Sequence, residues 1–143
     1  MSEIKPPAAK PCTFCPYRTD VPSGIWESQE YAKLRQYDRQ TPYQPVAVFL
    51  CHLNDADSDR SRVCAGWAGC HDGEHLLALR LHKATGALSP DVAEAVRAYT
   101  TPVPLFSSGT EAADHGEAEV TNPGRRAITA AEKISRRRNL ENQ

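Results

Sequence analysis

The stretch that decides the reading is Cys12-Thr13-Phe14-Cys15-Pro16-Tyr17-Arg18. Two residues between cysteines allow a tight turn that aims both sulfurs at one ion, about 2.3 Å from each for zinc. Two more cysteines follow, Cys51 after 35 residues and Cys64 after a further 12. Three chain segments thus supply four thiolates, enough for a closed tetrahedral site on Cys12, Cys15, Cys51 and Cys64.

The rest of the chain fits a small protein that gains from such a cross-link. It has 143 residues, 40% of them hydrophobic and only 7% aromatic, with a formal net charge of -1. A modest core is expected, and no global field draws in nucleic acid or membrane. No apolar run reaches the length a membrane span needs. Met1 to Pro7 has no apolar stretch of the secretory kind. The cytoplasm is therefore the expected compartment, and five cysteines there point to ligands or chemistry rather than disulfides.

Outward from the motif, residues 1–11 read as an extended lead, 12–100 as a cysteine-ligated domain and 101–143 as a charged tail. Tyr31, Leu34 and Tyr37 recur at spacing three and predict a helix from Ser28 to Tyr37. Val46-Ala47-Val48-Phe49-Leu50-Cys51 is wholly apolar and predicts a buried strand that delivers Cys51. A second helix is expected over Gly73 to Thr85, stopped by Gly86. Ser89 then caps a third, with Pro90 and Asp91 in its first turn and Val92, Ala95, Val96 and Tyr99 on one face. In the tail, residues 111–119 are acidic and 125–138 basic. Thr129-Ala130-Ala131-Glu132 is a capping-box pattern that would start a docking helix over 129–140. The fold expected is a small irregular α+β domain, helix-rich and metal-stabilised, with a C-terminal helical tail; a mainly helical arrangement is the runner-up.

Around the thiolates, Arg18 would offset negative charge while Trp26 and Trp67 exclude water. The ion expected is zinc. A [4Fe–4S] cluster also takes four thiolates, and Pro16 directly after Cys15 suits cluster motifs. His52, Cys70, His71 and His75 are alternative ligands. A metal-dependent hydrolase built on His71 and His75 is imaginable, although the H-E-x-x-H order is absent. Asp55, Asp57 and Asp59 imitate half a calcium loop, but Arg60 replaces the required glycine and Gly66 the closing glutamate.

The motifs Cys12-x-x-Cys15-Pro16-x-Arg18, Gly24-Ile25-Trp26, Phe49-x-Cys51-His52 and Cys64-Ala65-Gly66-Trp67 resemble those of a family of small uncharacterised proteins of actinobacteria and their phages. The likeness covers roughly residues 11 to 80 and implies no established activity. A shorter segment is similar to the WhiB-like iron–sulfur regulators, which continue C-P-x-R-x-x-C; here Val21 stands where their next cysteine would be. That likeness implies a cluster. The functional expectation is a metal-binding accessory or regulatory protein, more a binder than an enzyme. Its macromolecular partner, protein or nucleic acid, would meet Arg125, Arg126, Lys133, Arg136, Arg137 and Arg138. The competing expectation is that the acidic 111–119 stretch neutralises that basic run.

Overall fold

The structure, a computed structural model, describes residues 4–51 and 61–141. His52, Asp55, Asp57 and Asp59 lie outside the described residues. Among the described residues six α-helices form the architecture: α1 Ser28–Gln36, α2 Ala65–Cys70, α3 Leu77–Thr85, α4 Pro90–Arg97, α5 Gly109–Glu117 and α6 Arg125–Glu141. Short 3-10 turns at Thr41–Tyr43 and Gly73–His75 link them.

The α+β expectation is overturned. Among the described residues β-structure is limited to isolated bridges, Lys5 with Arg62, Arg18 with Leu105 and Leu50 with Val63. The apolar run from Val46 to Cys51 is not a strand because its ladder pairing is confined to the single Leu50–Val63 bridge. Val46 is 61% exposed, whereas Val48 and Phe49 turn into the core. Metal-stabilised is also the wrong description of this fold. Among the described residues no three His, Cys, Asp or Glu side chains form a group that could hold an ion as they stand. The main core is instead a hydrophobic cluster centred on Tyr17, Tyr31, Leu34, Trp67, Leu76 and Val96.

Helix α1 forms where its spacing predicts and buries Tyr31 and Leu34. Helix α4 is capped by the Ser89 hydroxyl, which accepts from Val92 N–H, and Pro90 opens its first turn. Its buried face is Ala93 and Val96, with Val92, Ala95 and Tyr99 half-buried. The Gly73-to-Thr85 segment divides into the 3-10 turn and α3; Gly86 ends α3 at φ +80, a left-handed conformation that glycine adopts without steric cost.

Helix α5 occupies the acidic stretch. Gly109, Ala112, Ala113 and Gly116 share one face and are all buried. That face lies on α1 so closely that a Cβ at Gly116 would collide with the Tyr31 ring, and one at Gly109 with the Leu34 carbonyl. The Asp38 carboxylate, just past α1, accepts from Gly109 N–H at 2.8 Å and Thr110 N–H at 2.6 Å. It therefore complements the positive end of α5. Arg35 of α1 binds Asp114 at 2.8 Å and Glu117 at 2.9 Å.

Helix α6 begins at Arg125, earlier than the capping-box pattern suggests, and Thr129 lies inside it. Its Ala127, Ala130 and Ile134 build a second hydrophobic cluster with Val21 and Ile25. Cys12, Phe14, Trp26 and Cys51 pack against that cluster. The seat of α6 is therefore the cysteine-bearing loop.

Candidate metal centre

The C-x2-C segment does fold as a tight turn, with Cys15 N–H donating to the Cys12 carbonyl at 3.0 Å. A second turn follows as Arg18 N–H donates to the Cys15 carbonyl at 3.1 Å. The other two cysteines are brought in by the Leu50–Val63 bridge. There Cys51 N–H donates to the Arg62 carbonyl and Cys64 N–H to the Phe49 carbonyl, both at 2.9 Å. Side chains alternate along extended backbone, so Cys51 and Cys64 both lie on the face opposite Leu50 and Val63. The 12-residue separation is thereby closed by a single antiparallel bridge.

The result is two sulfur pairs side by side. Cys15 Sγ lies 3.8 Å from Cys64 Sγ in a buried contact. Cys12 is hydrogen-bonded through its side chain to Cys51, and Cys51 acts electrostatically on Cys12, Cys15 and Cys64. Cys15 and Cys64 are buried; Cys12 and Cys51 are half-buried at the edge. All four expected ligands thus share one locality, as two pairs rather than one closed set.

Protons divide unequally between the partners. The hydrogen bond to Cys51, then burial, pushes the Cys12 thiol well up. The bond to Cys15, then burial, raises Cys64, while the same bond holds Cys15 below its ordinary value. Backbone amides favour the thiolates: Phe14 acts on Cys12, Tyr17 and Gly66 on Cys15, and Trp67 on Cys64. Amide dipoles aimed at a sulfur stabilise its negative charge. Gly66 is required for this approach, since a Cβ there would collide with Cys15 Sγ and lie 2.7 Å from the Tyr17 Cβ. Sequence reading overlooked these amides. The only signal in the chain is a glycine two residues after Cys64.

The supporting residues hold different roles. Arg18 is ion-paired with Asp20 at 2.8 Å and donates to the Pro11 carbonyl at 3.0 Å. Its charge feels Cys12 and Cys15, yet Asp20 shares it. Trp26 packs against both clusters and donates from Nε1 to the Phe14 carbonyl at 3.1 Å, fixing the Cys12–Cys15 turn. Trp67 is fully buried, edge-on to Tyr37 with ring centroids 5.4 Å apart. Its Nε1 has no partner among the described residues.

The alternative ligands do not join this site as a set. Cys70 ends α2, with its thiol pushed up to about 12 by burial first. His71 sits between Tyr17 and Tyr37, its Nε2 3.3 Å from the Tyr17 hydroxyl. His75 is exposed, with Nδ1 2.7 Å from Asp72 Oδ2. Both histidines line one open depression of about 720 Å³ with Asp38, Asp72 and Ser108, without forming a metal-holding group. On α6, Arg125, Arg126, Lys133, Arg136 and Arg137 are exposed and Arg138 half-buried.

Fold and site define a small helix-rich protein with a cysteine cluster beneath its C-terminal helix. The chain belongs to the family of unknown function DUF6283, whose model matches residues 7–138 and so includes α5 and nearly all of α6. No curated protein and no solved structure matches the chain. Among the described residues no helix is long and apolar enough to cross a membrane.

Proposed function

We propose that this is a cytoplasmic metal-binding accessory or regulatory protein. In this reading Cys12, Cys15, Cys51 and Cys64 hold one zinc ion as thiolates, and α6 offers a face to a macromolecule. The observation that carries it is the 3.8 Å Cys15–Cys64 separation. Two thiolates bound tetrahedrally to one ion at about 2.3 Å each stand about 3.8 Å apart. In a [4Fe–4S] cluster each cysteine ligates a different iron, which spreads the sulfurs further. The spacing therefore favours a single ion. The local likeness to WhiB-like regulators and Pro16 support the cluster instead, and an origin in actinobacteria or their phages rests on the separate resemblance of the motifs between Cys12 and Trp67 to a family of small uncharacterised proteins.

The ion would supply charge neutralisation where the 12–18 turn meets the Leu50–Val63 bridge. The chain's part is to present four sulfurs, the amides that steady them, and Trp26 over the turn. Metal analysis of anaerobically purified protein tests this reading. Colourless protein with one equivalent of zinc, lost on Cys12→Ser or Cys51→Ser, is expected. Brown protein absorbing near 400 nm, with iron and sulfide, would overturn the single-ion reading.

A further inference from the structure

Several cations elsewhere in this fold have acidic partners. Arg18 pairs with Asp20, Lys33 with Glu30, Arg35 with Asp114 and Glu117, and Arg97 with Glu94. The five exposed bases of α6 are different. Among the described residues none of Arg125, Arg126, Lys133, Arg136 and Arg137 forms an ion pair; Arg126 donates to the Asp20 carbonyl at 3.4 Å and acts on the Asp20 carboxylate only through its field. Two of the four acids in the stretch that might have neutralised them, Asp114 and Glu117, turn instead to Arg35 on α1.

Helical spacing sorts these charges. With Ala127, Ala130 and Ile134 facing inward, Arg126, Lys133 and Arg137 fall on one flank at i, i+7 and i+11. Arg125 and Arg136 fall on the outer surface. Ile128, 49% exposed, lies on the opposite flank, so the basic flank has no apolar anchor of the kind a protein interface centres on. Four of the five bases are arginines, which bind phosphate oxygens in pairs. No aromatic residue occurs in α6, so stacking on single-stranded bases has no platform there. At 17 residues the helix is about 25 Å long. The major groove of B-form DNA admits such a helix, and that of A-form RNA does not.

We propose that α6 is a phosphate-contacting helix for duplex DNA. This rests on the proposed function for the existence of a macromolecular partner and names that partner. The binding is mainly electrostatic: the exposed guanidinium and ammonium groups replace counterions along the backbone rather than reading bases.

The test uses the full, zinc-loaded chain and a fluorescein-labelled DNA duplex of two helical turns, followed by anisotropy across a salt series. Five phosphate contacts give a slope of log affinity on log salt of about -4.5. Neutralising Arg126→Gln, Lys133→Gln and Arg137→Gln together is expected to make that slope shallower by about 2.7 and to weaken binding about tenfold or more at fixed salt. Circular dichroism and zinc content of the variant should match the parent, since none of the three is a ligand. An unchanged slope, no binding at low salt, or tighter binding of labelled polyglutamate than of duplex overturns the proposal. If the slope follows α6 charge in a protein that holds no zinc, the metal reading fails and this one stands. If zinc binds and the slope ignores α6, this one alone fails.

Discussion

The α1–α5 contact and the seat of α6 join helices to the molecule by opposite means. Between α1 and α5 the join is made of small residues. Gly109 and Gly116 let the backbones approach until ring and carbonyl fill the space, and Arg35 and Asp38 tie both ends. Under α6 the join is made of a loop. Val21 and Ile25 take the helix, and Cys12, Phe14, Trp26 and Cys51 stand beneath them. The first contact is complete in itself. The second rests on the turn that carries Cys12 and Cys15.

The largest effect should come from breaking the tight contact. Gly116→Val places branched carbons where the Tyr31 ring lies, and overpacking of that kind costs about 3 kcal/mol or more where neither backbone can retreat. Urea denaturation should show global loss of stability; a loss below 1 kcal/mol, a figure at the low end for overpacking, would mean the helices are not so closely apposed.

At the other region, Cys12→Ser is expected to abolish zinc binding yet keep most helical circular dichroism, because Cys12 is at the edge of the core. Limited trypsin digestion should then cut faster within α6, rich in arginine and lysine, than within α1. Equal acceleration at both helices would erase the contrast between them. Gly66→Ala probes the same site from behind. Its methyl group displaces the Cys15 sulfur, and a fall in zinc affinity of about 10- to 100-fold is expected, the range for groups that position ligands. Competition with a chromophoric chelator measures it.

Removing the tie at the start of α5 should cost less. Asp38→Ala deprives two amides of their acceptor, a loss of about 1 kcal/mol by the measure of other helix caps, read from the urea midpoint. Metal affinity should not change, since Asp38 belongs to the other region.

What was legible in the sequence follows the same division. Helices α1 and α4 announce themselves through Tyr31 and Leu34 and through the Ser89 cap. Helix α5 does not, because its buried face is glycine and alanine and carries almost no hydrophobic signal, while Glu111, Asp114 and Glu117 dominate its composition. Helix α2 is six residues with two glycines, too short for periodicity to register. The run Val46 to Cys51 misleads because Val48 and Phe49 reach the core from a loop while Val46 stays exposed. In the site, Cys12 and Cys15 are legible from spacing alone. That Cys51 and Cys64 face the same way depends on the Leu50–Val63 bridge, and the amides around Cys15 depend on tertiary approach; neither leaves a local pattern.

The smallest expected effect separates the core from the site by pH. His71 is held below its ordinary value by burial, which Asp38 opposes only in part, and it is packed between Tyr17 and Tyr37. A histidine whose folded value is depressed binds more protons when unfolded. Its contribution is therefore fully present above its unfolded value, about 6.5, and is lost as the pH falls from there toward the folded value. His71→Gln removes that titration while keeping a polar group near the Tyr17 hydroxyl. The difference in unfolding free energy between parent and variant, measured by urea from pH 8 down to pH 5, should shift against the parent below the unfolded value. Because contributions from the cysteines are common to both proteins, they cancel in that difference. A flat difference would mean that His71 is as well solvated as in the unfolded chain, and that the aromatic core around Trp67 and Tyr37 is open to water on that side.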